Sequence, residues 1–162
     1  MKISIKRGLA LAAVAGASCA TGLLAPAAAA TAAPGDPSHY FLESVSNPEK
    51  VLTALPYGPI SLVPRGATPG QVWDLMPSDR GGVNLVNRDS GECLTVAAPF
   101  PGAPVVGAPC GERPGQDWRT GGDAGDIVRF ESFTGCLISD YGRVSTGACY
   151  DVTAQWRLVE AP

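Results

Sequence analysis

Gln71-Val72-Trp73, Gln116-Asp117-Trp118 and Ala154-Gln155-Trp156 place three tryptophans 45 and 38 positions apart in a chain of 162 residues. Upstream of the second runs Ser90-Gly91-Glu92-Cys93-Leu94-Thr95-Val96, and upstream of the third Phe133-Thr134-Gly135-Cys136-Leu137-Ile138-Ser139. Each Cys-Leu pair is followed by a second cysteine, Cys110 or Cys149, and then by Trp eight or seven residues later. The first segment keeps the pattern without cysteines, with Val51-Leu52-Thr53 where the others have Cys-Leu. Cys93 to Trp118 is 25 positions and Cys136 to Trp156 is 20; four of the five missing positions fall between the cysteines, where a surface loop would shorten. Self-similarity of this kind marks an architecture of repeated supersecondary units. Three units of roughly 40 residues are too few for a propeller, which needs about four blades.

Between the motifs the chain reads as short strands and turns. Residues 31–162 hold 17 Gly and 14 Pro, nearly one position in four, which breaks up any long helix. No window keeps apolar residues at i, i+3, i+4 and i+7 over three turns. Runs such as Gly82-Val83-Asn84-Leu85-Val86-Asn87 and Asp126-Ile127-Val128-Arg129-Phe130 sit instead between turn residues. The three Trp and four Phe suit a small β core rather than a disordered chain.

The N-terminal thirty residues read as an export signal. Lys2, Lys6 and Arg7 form a basic start, an Ala/Leu-rich stretch runs from Gly8 to Leu24, and Ala28-Ala29-Ala30 offers a small-residue cleavage site. Cys19 lacks the large aliphatic residue that a lipoprotein site carries three positions earlier, so it is expected to leave with the signal. The expected organisation is a signal at 1–30, a flexible arm at 31–39 that is either a plain spacer or a segment docking on a partner, and one folded domain at 40–160. The exported chain carries nine Lys/Arg against fifteen Asp/Glu, a formal charge of −6. That balance argues against nucleic acid or an anionic membrane as partner, and no later apolar run is long enough to hold the chain in a bilayer. Localisation is read as secreted, extracellular. Cys93, Cys110, Cys136 and Cys149 remain, an even number in an oxidising compartment, and four cysteines allow three pairings. Their gaps contain no CxxC pair and the exported chain has one His, His39, so disulfides are expected rather than a metal site.

With the Cys-Leu strand, the second Cys and the closing Gln-x-Trp on the page, the chain resembles the ricin B-type β-trefoil family over about residues 40–159. The resemblance implies an all-β fold, a single β-trefoil of three four-stranded pseudo-repeats. It also implies two disulfides within repeats, Cys93–Cys110 and Cys136–Cys149. It makes Trp73, Trp118 and Trp156 buried scaffold rather than sugar-stacking rings, in keeping with how well a large ring packs inside a core.

The resemblance further implies where sugar would bind: an Asp two positions after the first Cys, an aromatic shortly before the second, and an Asn just before Gln-x-Trp. A pyranose needs such a flat apolar platform plus a few fixed polar groups. This chain departs from the pattern in every repeat. Thr53, Thr95 and Ile138 hold the Asp position, and Gly70, Gly115 and Thr153 the Asn position. Val106-Gly107-Ala108-Pro109 and Ser145-Thr146-Gly147-Ala148, before the second cysteines, contain no aromatic. Substitute binding residues are Asp140, Tyr141 and Arg143, which put a carboxylate, a ring and a guanidinium in one short loop, together with Phe100 and Tyr57 in loops of the second and first units. Catalysis has little support: His39 sits in the arm, and fifteen acids single out no pair for carboxylate chemistry. No cofactor is called for. The expected function is a non-catalytic recognition module binding a secreted or cell-surface protein, as adaptor or inhibitor; the alternative is a lectin with a nonstandard glycan site.

Overall fold

The computed structural model describes residues 39–162 apart from 57, 58 and 67, and apart from the side chains of 123 and 124. The signal, most of the arm and Tyr57 therefore lie outside the described residues. Each unit supplies four strands. The first gives β1 (His39–Ser44), β2 (Lys50–Ala54), β3 (Ile60–Pro64) and β4 (Val72–Pro77). The second gives β5 (Val83–Asn87), β6 (Glu92–Val96), β7 (Val105–Pro109) and β8 (Arg119–Ala124). The third gives β9 (Ile127–Ser132), β10 (Gly135–Asp140), β11 (Arg143–Gly147) and β12 (Trp156–Glu160). Among the described residues no helix is long and apolar enough to cross a membrane.

The outer strands of the three units close a six-stranded barrel. β1 pairs with β4, β4 with β5, β8 with β9, β9 with β12, and β12 returns to β1, all antiparallel. The remaining seam, β5 to β8, is made by one bridge in which Val83 and Trp118 exchange two backbone hydrogen bonds, at 2.8 and 2.9 Å. Hairpins β2–β3, β6–β7 and β10–β11 lie over one end of the barrel and meet each other. Arg143 pairs with Ser61, Pro104 with Ser145, and Thr146 N–H donates to the Ala103 carbonyl at 2.9 Å. This is a β-trefoil, and it has the three-unit plan read from the tryptophans.

The threefold pattern is carried by side chains. Tyr40, Val83 and Val128 stand opposite Trp73, Trp118 and Trp156 in the barrel ladder. Two residues on, Leu42, Leu85 and Phe130 are fully buried, as are Leu52, Leu94 and Leu137 and the three indoles themselves. Each indole N–H needs an acceptor once buried, and each finds the equivalent one. Trp73 Nε1 donates to the Leu52 carbonyl at 2.9 Å, Trp118 to Leu94 at 3.0 Å and Trp156 to Leu137 at 2.9 Å. The Leu of every repeat motif thus serves twice: its side chain fills the core and its carbonyl holds the ring that closes its own unit. The disulfides Cys93–Cys110 and Cys136–Cys149 each tie a hairpin within its unit, with Cα atoms 5.0 Å apart. Val51 takes the buried place of Cys93 and Cys136 in the first unit, which does without a cross-link.

Candidate functional site

The position where a sugar-binding repeat would carry Asp is closed in two units. Thr53 and Thr95 are buried, and their hydroxyls donate to the carbonyls of Val51 and Cys93 at 2.9 and 2.8 Å. Gln116 Nε2 donates to Thr95 Oγ1 at 2.9 Å and to the Pro109 carbonyl at 3.0 Å, while Gln116 Oε1 accepts from Gly111 N–H at 2.8 Å. Gln71 makes the same three contacts, to Thr53 Oγ1, the Pro64 carbonyl and Gly66 N–H. Thr and Gln form a buried polar pair that bolts the hairpin to the turn before Trp. Buried polar atoms need partners, so the pair is present whole or absent whole. In the third unit Ile138 and buried Ala154 replace both. There the polar bonding near the hairpin passes to Ser139, whose hydroxyl meets Ser44 Oγ at 2.7 Å and Ser46 Oγ at 3.1 Å.

The Asn position is closed in the first unit and crowded in the second. A Cβ on Gly70 would lie 2.1 Å from the Ala54 carbonyl oxygen, and the residue has φ +82°. A Cβ on Gly115 would lie 3.0 Å from the Val96 carbonyl oxygen. Gly70→Asn is therefore expected to destabilise by about 1–3 kcal/mol from backbone strain alone, with the clash adding to it, and to confer no sugar binding. Chemical denaturation of the variant checks the first part and a galactose titration the second.

The residues singled out from sequence lie on different hairpins. Asp140-Tyr141-Gly142-Arg143 is the two-residue turn of β10–β11, with Tyr141 at φ +44° and Gly142 at φ +84°. Such turns favour Gly, Asn or Asp, so an aromatic there carries strain, and its side chain is 97% exposed. Asp140 and Arg143 face each other in the ladder and both are exposed; the Gly142 carbonyl accepts from Leu62 N–H at 3.3 Å, seating the tip against β3. Phe100, 53% exposed, is on the β6–β7 loop, where its carbonyl accepts from Ala103 N–H at 3.2 Å. His39, assigned to the arm from sequence, opens β1: its Nδ1 lies 2.5 Å from Asp74 Oδ1, opposite it in the ladder. Among the described residues no three His, Cys, Asp or Glu converge to hold a metal ion.

The structure adds a cleft that sequence reasoning missed. A depression of about 690 Å³ is floored by Thr95, Val106 and Ala108 of β6–β7, and walled by the Ala97-Ala98-Pro99 loop and by Arg113-Pro114-Gly115. Across it, Phe133 reaches in from the β9–β10 turn of the third unit and is 56% exposed. Thr95, the stretch before Cys110 and Gly115 are the positions where the resemblance puts the sugar site of the second unit. The depression persists, with apolar walls and a ring borrowed from the neighbouring unit. Phe133 was legible only as a residue flanking Cys136; its signal was an aromatic standing in a turn before Thr-Gly, where the second unit has Arg88-Asp89-Ser90-Gly91.

No family model and no curated protein sequence matches the chain. Solved structures do. The designed 3-fold symmetric protein ThreeFoil is 22% identical with TM-score 0.68, covering 76% of this chain and 99% of its own. The lectin SeviL, solved bound to asialo-GM1 saccharide, is 12% identical with TM-score 0.65, covering 78% and 100%. A Polyporus squamosus lectin, solved with a human-type influenza-binding epitope, is 13% identical with TM-score 0.66; the match covers 79% of this chain and 50% of that one. The chain thus spans about half the length of the Polyporus lectin and all but the whole of the other two. At these identities the likeness is one of fold.

Proposed function

We propose that the protein is a secreted, non-catalytic recognition module that binds a protein partner through the cleft between β6–β7 and Phe133. The carrying observation is the chemistry of the walls: Val96, Ala97, Ala98, Pro99, Val106 and Phe133 are apolar, and the hydroxyl proton of Thr95 is already committed to Cys93. A pyranose entering such a cleft would lose water from its hydroxyls and gain few directional partners, at a cost of about 1–3 kcal/mol for each group left unpaired. An apolar side chain of a protein partner meets no such cost, and an exposed ring beside a concave apolar floor is how binding hot spots are built. The second reading is a glycan ligand, favoured by the saccharide-bound trefoils that share the fold.

The test is affinity capture from the secreted proteins of the producing organism, with the intact oxidised chain beside its Phe133→Ser variant. A partner held by the parent and lost from the variant is expected. A partner retained equally by both would move the interface elsewhere, with the Tyr141 tip and Phe100 the next residues to vary.

A further inference from the structure

Among the described residues lining the cleft, Arg113 is the charged one. Its side chain is exposed and makes no hydrogen bond or ion pair with the described residues, while its backbone is pinned. Arg113 N–H donates to the Gly111 carbonyl at 2.8 Å, and the Arg113 carbonyl accepts from Gln116 N–H at 3.0 Å. Gly111 is itself held by the buried Gln116 side chain at 2.8 Å, and Pro114 follows immediately. The guanidinium therefore springs from a fixed point at the rim of an apolar cleft, in ion-pair contact with no carboxylate of the described residues. Arg113 also lines a polar depression with Asp79, Arg80, Glu112 and Asp117; there Asp117 already accepts from Ser78 Oγ and from Gly82 N–H at 3.2 Å. The equivalent positions in the other units hold Thr68 and Asp151.

Resting on the protein-partner reading above, we infer that this cleft takes a peptide segment in which an apolar side chain stands next to a carboxylate, the side chain seated against Phe133 and Val106 and the carboxylate received by Arg113. Arginine presents a planar fork that pairs with both carboxylate oxygens, and a charged hydrogen bond is about twice as strong as a neutral one. The full chain is acidic, with formal charge −3, and the part expected to be exported more so, at −6. Repulsion from carboxylates beyond about 8 Å is largely screened at physiological ionic strength. Asp79, Glu112 and Asp117 line the neighbouring depression with Arg80, whose charge offsets part of theirs, and within the cleft's own lining Arg113 is the group that can receive a carboxylate. An acidic sugar could meet Arg113 as well, but its hydroxyls would face the same apolar walls without partners.

The probe is a phage-displayed library of random dodecapeptides, selected in parallel on the intact chain, on Arg113→Gln and on Phe133→Ser. Both side chains are exposed, so both variants should fold, and matching melting temperatures confirm it. Peptides enriched on the parent chain are expected to carry an aromatic or large aliphatic residue within two positions of Asp or Glu. A synthetic enriched peptide should shift the amide signals of Val106 and Gly115 in the 15N spectrum and lose about three- to tenfold in affinity when its acid is changed to the amide. On Arg113→Gln that preference for the acid disappears while the amide peptide binds as before; on Phe133→Ser both peptides weaken. Equal affinity for acid and amide, or an acid preference that survives Arg113→Gln, overturns the carboxylate inference while leaving the protein-binding reading standing. If no peptide shifts the cleft but 3′-sialyllactose does, both readings fall. If neither does, the inference falls and the search moves to other surfaces.

Discussion

Trp118→Ala lowers the free energy of unfolding by about 3–5 kcal/mol, the range for truncating a large aromatic ring in a packed core. The ring is fully buried, its Nε1–H is bonded to the Leu94 carbonyl at 3.0 Å, and its backbone makes the only bridge among the described residues between β5 and the start of β8. Truncation opens a cavity, strands the Leu94 carbonyl and loosens the thinnest seam of the barrel. A protein of this size has about 5–15 kcal/mol in all, so the variant stands near the edge of folding. Trp73→Ala and Trp156→Ala remove rings with the same hydrogen bond but stand at seams with more ladder pairs, so they should retain more cooperativity. Urea titration followed by circular dichroism measures all three. A near-neutral Trp118→Ala would contradict the scaffold role and reopen sugar stacking for that ring.

The second large effect is loss of the disulfides. Cys93–Cys110 and Cys136–Cys149 close loops with sequence separations of 17 and 13, and loops of that size stabilise by about 3 kcal/mol each. Replacing either pair by Ala should cost about that much, and reducing both should unfold much of the population at 37 °C. The first pair weighs more on the cleft, because it fixes the end of β7 beside the turn that carries Arg113 and Pro114. Peptide mapping without reductant should return these two links; a Cys110–Cys136 link would join two different units and break the repeat alignment.

How much was legible in the sequence follows from what each feature depends on. The trefoil could be read because each unit repeats one local device, a Leu whose carbonyl holds the unit's own Trp, and repetition shows in a single chain. Disulfide pairing came with the family resemblance, and the structure bears it out. The Thr-Gln pairs were not legible as pairs: Thr53 and Gln71 are 18 positions apart, Thr95 and Gln116 are 21, and each residue looks like an ordinary polar strand or turn residue until the hairpin folds over the turn. Their loss together in the third unit, as Ile138 and Ala154, was the sequence signal that they act as one. The cleft was hidden for a related reason. Its floor belongs to the second unit and its ring to the third, so no reading within one repeat brings Phe133 to Val106. Nor did the turn at Tyr141 announce its backbone, since Tyr-Gly is an unusual pair for a turn that places its first residue at φ +44°.

In the first two units scaffold bonds hold Thr53 and Thr95 at the positions where the resemblance puts the sugar-binding Asp, and the proposed ligand of the remaining apolar cleft is a protein. A glycan array probed with the intact, oxidised chain tests that proposal most directly. No glycan is expected above background at protein concentrations where affinity capture yields a Phe133-dependent partner. Dose-dependent binding of a glycan that is lost on Thr95→Ala or Gln116→Ala, in variants shown to stay folded, would contradict it.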